Sequence, residues 1–225
     1  MSRRRLYLLR HAEVSYFEGD GHPVHPDRVP LTARGRGQAG AAAQALAGVH
    51  FDRVVTSGLP RTIETARIVA PAVEPESWPE LRELAGGRLD ELADEELEAT
   101  FTGAFRGDVP LDATFLGGET AGSLLDRVLP ALERLLADET WDTVLAVLHG
   151  GVNRAILSYA LTGERRLLGG FEQAPACINV LDVGADWIVR AVNHTPYDPL
   201  HASGRSTTME ELYRQYLPYR KARAT

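Results

Sequence analysis

Two short apolar runs in this chain each stop on a histidine. Leu6–Leu9 ends at Arg10-His11, and Val144–Leu148 ends at His149-Gly150-Gly151. Runs of this length and character read as buried strands. A helical pattern from about Val152 to Leu161 follows the second run directly, so strand, histidine, turn and helix come in that order. In an open α/β sheet, the carboxyl ends of the strands line the crevice where ligands bind. An imidazole there can act as nucleophile or base, and a guanidinium beside it can clamp an oxyanion. Taken alone, Arg10-His11 is equally well read as a strand end with two solvated polar groups.

The intervening chain supplies more strands and helices. Thr32 is placed to cap a helix over Ala33–Val49, and Phe51–Thr56 reads as a strand ending in Ser57-Gly58. Pro60 suits the first turn of a helix to about Ala70, which puts Arg61 where helix N–H groups already favour an anion. Gly35-Arg36-Gly37-Gln38-Ala39-Gly40 matches the dinucleotide glycine fingerprint letter for letter. That fingerprint needs a strand directly before it, and Pro30 stands there instead, so we read it as small residues inside a helix. The acidic block Asp90–Glu98 reads as a solvated helix face. Residues 71–118, broken by Pro71, Pro75 and Pro79, read as a cap or insertion within a single domain spanning 1–225. A helix over Ala121–Leu136 contains Pro130, which should kink or divide it. Ile178–Val183 and Trp187–Val192 read as an edge hairpin, and Thr208–Leu217 as a short helix with Tyr213, Tyr216 and Leu217 on one face.

Charge and cysteine usage narrow the function classes. A net charge of -7 over 225 residues argues against a broad nucleic-acid face, but a few arginines suffice for a small anion. The lone Cys177 permits no internal disulfide and reads as a buried thiol. The basic start has too few apolar residues after it for a signal peptide, and no run approaches membrane-spanning length. A cytoplasmic protein without membrane or nucleic-acid partners is the expectation. The loop holding His22, His25, Asp27 and Arg28 shows no metal-ligand spacing, and it reads as substrate-facing or simply solvated.

His11, His149, Arg10 and Arg61 therefore converge on one sheet edge and suit a phosphate. Here the chain resembles the histidine phosphatase superfamily, the phosphoglycerate-mutase-like fold. Leu9-Arg10-His11-Ala12-Glu13 is similar to its Arg-His-Gly-Glu signature, with Ala12 in place of glycine. Pro30-Leu31-Thr32 through Gln38-Ala39, Ser57-Gly58-Leu59-Pro60-Arg61-Thr62 with Thr65-Ala66, Leu81-Arg82-Glu83, Gly118-Glu119-Thr120 and His149 through Arg154 follow in family order. The resemblance implies a three-layer α/β/α sandwich with a mostly parallel central sheet and an antiparallel edge strand.

It also implies a metal-independent phosphomonoesterase without cofactors, acting on a small phosphorylated metabolite. His11 would attack phosphorus from its neutral form, and nearby cations should hold its pKa low. Arg10, Arg61, His149 and the Gly150 N–H would bind the phosphoryl oxygens. Glu83 would protonate the leaving alkoxide and then activate water, a role served by a raised pKa. His149 would serve better protonated, so the two histidines should titrate as a pair. Two departures stand out: Ser15-Tyr16-Phe17-Glu18 where the family often has an asparagine, and Leu148 where a small or hydroxyl residue often precedes the second histidine.

A phosphoglycerate-type mutase is the nearest rival, disfavoured because the middle region has no extended basic segment. A non-catalytic phosphate-binding scaffold is a third reading, and the complete set Arg10, His11, Arg61, Glu83 and His149 speaks against it. Candidates for substrate contact are His22, His25 and Arg28, and toward the C-terminus Asn193, His194, Thr195, Tyr197, His201 and Arg205. Polar surface is an equal reading for each. Dimers are frequent among proteins of this kind, and a homodimer is kept as the oligomeric option.

Overall fold

The computed structural model describes residues 3–17, 24–89 and 92–223. Its strands are Arg4–Arg10 (β1), Arg53–Thr56 (β2), Glu76–Ser77 (β3), Asp108–Val109 (β4), Thr143–Leu148 (β5), Leu167–Leu168 (β6), Ile178–Val183 (β7) and Trp187–His194 (β8). Its α-helices are Ala33–Ala45 (α1), Pro60–Val69 (α2), Asp94–Gly103 (α3), Ala121–Ala137 (α4), Gly150–Thr162 (α5) and Thr208–Arg223 (α6). Six strands form the central sheet in the order β3-β2-β5-β1-β7-β8, while β4 and β6 pair separately.

Alternation along the strands divides the core into two layers. Leu6, Leu8, Val55, Val144, Ala146 and Leu148 pack on one face with α4 and α5, through Leu124, Leu125, Val128, Val152 and Ile156. Tyr7, Leu9, Val54, Leu145 and Val147 pack on the other with α1 and α2, through Ala42, Leu46, Ala66 and Val69. Strands apolar on both faces thus receive helices on both, as a largely parallel sheet requires. Each fully buried leucine contributes about 1.5–3 kcal/mol relative to exposure.

The position of β5 decides where the site lies. It sits between β1 and β2 and runs parallel to both, with Leu148 opposite Arg10 and Val147 opposite Thr56. The carboxyl ends of three strands therefore finish side by side, and the next residues are His11, His149 and Ser57. The backbone N–H of His11 donates to the Leu148 carbonyl at 2.9 Å, which carries the ladder one step further and locks the two histidines into register.

Several boundaries differ from expectation for local reasons. The edge hairpin is present as expected, with β7 bonding β1 and β8 forming the edge, but β8 runs on past Val192 to His194. Thr32 caps α1 by accepting from the Gly35 N–H at 2.9 Å, but the helix stops at Ala45 and turns so that Leu46 and Phe51 enter the core. Pro130 does not divide α4. It lies with Asp126 on the exposed face, where water can meet the carbonyl that loses its donor. The acidic block does become a helix from Asp94, with Leu97 and Phe101 buried; Asp90 and Glu91 lie outside the described residues. Helix α6 runs beyond Leu217 to Arg223, and its buried face is Met209, Leu212, Tyr213, Tyr216 and Tyr219 against Phe17, Leu97 and Phe101.

Candidate active site

His11 and His149 meet where β1 and β5 end, with ring centroids 5.2 Å apart. The Nδ1 of His11 lies 2.8 Å from the Ala12 carbonyl, which can only accept, so Nδ1 carries the proton and Nε2 keeps its lone pair. The orientation is built in: Ala12 is buried, its N–H donates to Thr65 Oγ1 at 3.1 Å, and Thr65 Oγ1 in turn donates to the Arg61 carbonyl at 2.7 Å. His149 Nε2 lies 2.8 Å from Ser57 Oγ, whereas its Nδ1 is buried without a partner among the described residues.

Both guanidiniums are anchored at one point and unsatisfied at another. Arg10 donates from Nη1 to the Gln173 carbonyl and, at 2.9 Å, to Thr208 Oγ1. Arg61 donates from Nη1 to the Pro26 carbonyl at 2.6 Å. The Nε of each is buried with no acceptor, and neither is paired with a carboxylate among the described residues. Burying cations without counter-charge costs several kcal/mol per ion, which a bound dianion would offset.

The charge is felt by the imidazoles. Burial first, then Arg61 and Arg10, hold His11 well below the ordinary histidine pKa. Burial, then Arg61, His11 and Arg10, do the same to His149. The neutral nucleophile expected for His11 is thus the form this environment favours. The protonated His149 is not, in the absence of an anion: the same field keeps both rings neutral. An oxyanion against His149 Nδ1 would reverse this, because the protonated ring can donate from Nε2 to Ser57 and from Nδ1 to the anion at once.

Glu83 faces this cluster from the other side. Its carboxylate accepts from the Gly151 N–H, at 3.0 and 3.2 Å to its two oxygens, and from its own neighbour Leu84 at 3.1 Å. So the first turn of α5 divides its donors: Gly151 holds Glu83, and Gly150, whose N–H meets no acceptor among the described residues, is the one free for phosphate. A side chain at Gly151 would stand 2.6 Å from Glu83 Oε1 and 2.8 Å from Leu84 Cδ1, so the glycine lets both side chains come this close without shifting. Among the described residues, no group of three or more His, Cys, Asp or Glu side chains could hold a metal ion.

A model of the histidine phosphatase superfamily (branch 1) matches residues 6–195. The chain belongs to that family. It is 33% identical over 177 residues to a protein of Serratia proteamaculans named "Probable phosphoglycerate mutase GpmB", covering 72% of this chain and 79% of that one. It is 30% identical over 188 residues to the adenosylcobalamin/alpha-ribazole phosphatase of Salmonella typhimurium, covering 80% and 90%. Among solved structures, a mycobacterial glucosyl-3-phosphoglycerate phosphatase superposes with a TM-score of 0.66 at 27% identity, over 84% of this chain and 98% of that one. The phosphoglycerate-mutase-like, mostly parallel α/β fold is therefore this protein's fold.

Of the residues expected from the sequence, Arg10, His11, Arg61, Glu83, His149 and Gly150 lie in one cluster. The histidine phosphatase places the remaining candidates less closely. His22 lies outside the described residues. His25 is exposed and caps a short 3-10 turn, Pro26–Arg28, by accepting from the Asp27 N–H; Arg28 is exposed on that turn. Among the described residues this loop meets the site through the Pro26 carbonyl held by Arg61, and Asp27 lies 3.9 Å from Arg82 beside Glu83. His194 and His201 are exposed, and no hydrogen bond or ion pair ties either side chain to the site among the described residues. Tyr197 and Thr195 are spent on backbone carbonyls of Pro175 and Asp198.

Ser57, Gln173 and Thr208 were missed. Ser57 ends a predicted strand just as the two histidines do, and reading all three strand ends alike would have named it. Leu148 is fully buried in the core. Gln173 and Thr208 touch Arg10 across more than 160 residues, and no local pattern announces that.

Proposed function

We propose that this protein hydrolyses small phosphomonoesters through a phosphohistidine on His11. The observation that carries it is one orientation: His11 Nδ1 is bound to a carbonyl, which leaves Nε2 as nucleophile beside two arginines that no carboxylate pairs with among the described residues. Arg10 Nε, Arg61 Nε, the Gly150 N–H and His149 Nδ1 take the non-bridging oxygens and the charge that develops on them. The Nε2–P bond forms as the P–O ester bond breaks, and the leaving alkoxide takes its proton from Glu83. Glu83, now a carboxylate, accepts a proton from the water that attacks phosphorus and frees His11. The arrangement needs no redox change and no group-transfer cofactor.

The relative named as a probable phosphoglycerate mutase makes phosphoryl transfer the rival outcome. A mutase must hold an anionic intermediate, yet the helix in the middle region opens with Asp94, Glu95 and Glu96. That favours hydrolysis. We also read residues 1–225 as one domain with 71–118 as its cap, and the protein as cytoplasmic, with a homodimer as the oligomeric option to test. Among the described residues, no helix is long and apolar enough to cross a membrane. Light scattering on purified protein checks the dimer.

The test of the main reading is hydrolysis of an aryl phosphate with EDTA present, by wild type and His11→Ala. Loss of the nucleophile should lower kcat by at least about a thousandfold, and an acid-labile phosphoenzyme should be trapped from wild type alone. Equal rates would overturn His11 as nucleophile; a phosphoenzyme that discharges only to an added phosphoglycerate would favour the mutase.

A further inference from the structure

The Gly118-Glu119-Thr120 motif has no part in the steps above, and neither does Arg127, nearly two helical turns into α4. Thr120 caps α4 by accepting from the Ser123 N–H. Glu119 and Arg127 do something else. Arg127 Nε donates to Glu119 Oε1 at 2.8 Å and its Nη2 to Glu119 Oε2 at 2.9 Å. Its Nη1 donates to the carbonyls of Glu80 and Arg82 at 2.7 and 2.5 Å, and Nη2 also to the carbonyl of Glu83 at 3.2 Å. A guanidinium has five N–H donors, and here five acceptors receive them.

Glu119 completes the hold from the far side. Its Oε2 accepts from the Ala85 N–H at 3.0 Å, and its own N–H donates to the Ala85 carbonyl at 2.8 Å. Backbone groups at 80, 82, 83 and 85 are thus fixed on both sides of one residue, Glu83. Burial opposes the charge on Glu119, but Arg127 and the Ala85 N–H outweigh it and hold its carboxyl below the usual range. The pair therefore stays ionised, with both side chains largely covered.

We propose that Arg127 and Glu119 are positioning residues whose function is to aim the Glu83 carboxylate at the leaving-group oxygen. Segment 79–87 has little regular structure of its own: one 3-10 turn, Pro79–Leu81, and then chain in neither helix nor strand. Without the clasp, Glu83 would keep only the Gly151 and Leu84 N–H groups to orient it. General-acid catalysis depends on placement within a few tenths of an ångström, and misplacement by 1 Å can cost about a hundredfold. The fork is essential to the device. Lysine keeps the charge but has three donors and no planar pair to match Glu119.

This inference rests on Glu83 as the general acid, and the experiment separates the two ideas. The readout is kcat/KM, which covers the steps through phosphoryl transfer and precedes attack by water. It is measured on p-nitrophenyl phosphate, whose leaving group needs no proton, and on glycerol phosphate, whose alkoxide does. Glu83→Gln should lose about 100-fold or more on the alkyl ester and far less on the aryl ester. Arg127→Lys should show the same bias, about 10- to 100-fold on the alkyl ester, and should add no further loss in the Glu83→Gln background. A flat Glu83→Gln profile overturns both readings. A biased Glu83→Gln profile with an Arg127→Lys loss equal on both esters, or multiplied in the double variant, overturns the clasp alone. Should Arg127→Lys fail to fold, Glu119→Gln removes one acceptor isosterically and is held to the same outcomes.

Discussion

The two ends of β1 use arginine in opposite ways. At the start of the strand, Arg3 meets Asp186, and Arg5 meets Asp182 at 2.7 and 3.2 Å through two nitrogens. Arg4 lies 4.0 Å over the Trp141 ring and donates to the Leu136 and Asp138 carbonyls. At the finish, Arg10 and its neighbour Arg61 have carbonyl or hydroxyl anchors but no carboxylate among the described residues. The first set closes the molecule; the second leaves positive charge buried. The residue type is the same, and the role is decided by what stands opposite.

Removing a cation from the finishing end should therefore cost activity and not stability. Arg61→Met is expected to lower kcat/KM by about 100- to 1000-fold, the loss seen when one preorganised donor to a developing oxyanion is removed. Its melting temperature should hold or rise, because a buried guanidinium without counter-charge is gone. Inorganic phosphate, which should stabilise wild type through binding, should stabilise this variant much less. A variant that melts well below wild type would show that Arg61 is structural, and the contrast between the ends would fail.

The next effect is on pH. His11 and His149 have folded pKa values held below the unfolded value of about 6.5. Below that value the unfolded chain takes up protons that the folded one refuses, so stability is intact above pH 6.5 and falls as pH drops beneath it. The slope is about 1.4 kcal/mol per pH unit for each histidine. An oxyanion should reverse the bias at His149, so calorimetry near pH 6.5 with sulfate, a dianion that does not itself titrate there, in buffers of different ionisation enthalpy should find proton uptake on binding. Proton release would sink the assignment of His149 as a donor to the anion.

How far the residue pattern alone reaches can be judged from particular places. The strand-histidine endings were legible because burial on both faces writes a continuous apolar run, and the polar residue that stops it is conspicuous. Arg61 was legible because Pro60 marks a helix start after a strand. The glycine fingerprint was correctly set aside, but its first glycine is no accident: a side chain at Gly35 would stand 2.2 Å from the Glu13 carbonyl, whereas Gly37 and Gly40 meet nothing. What stayed hidden was long-range. Thr208 reaching Arg10, and Arg127 reaching Glu80 to Glu83, join segments whose spacing in the chain follows no period. His25, His194 and His201 stay open between two readings for the converse reason, since a polar residue in a loop looks alike whether it faces a pocket or water.

The starting end of β1 can itself be divided by burial, and this gives the smallest effects. Asp182 has only 5% of its side chain exposed and accepts from both Arg5 and Arg190. Arg5 holds its carboxyl below the usual range against the opposing effect of burial, and Arg190 assists. Its partners are about half exposed, so water screens part of the attraction, and Asp182→Asn should cost about 1–3 kcal/mol of stability. Asp186 is 63% exposed, and its pair with Arg3 sits in water. Asp186→Ala should change the melting temperature by no more than about 1–2 °C, as exposed pairs contribute little once side-chain entropy and salt are counted. Neither variant should move kcat/KM on an aryl phosphate. If Asp186→Ala proved as costly as Asp182→Asn, pairing by itself would set the strength of this end. The expected order says instead that burial does, and burial is also what makes the unpaired arginines at the other end fit for an anion.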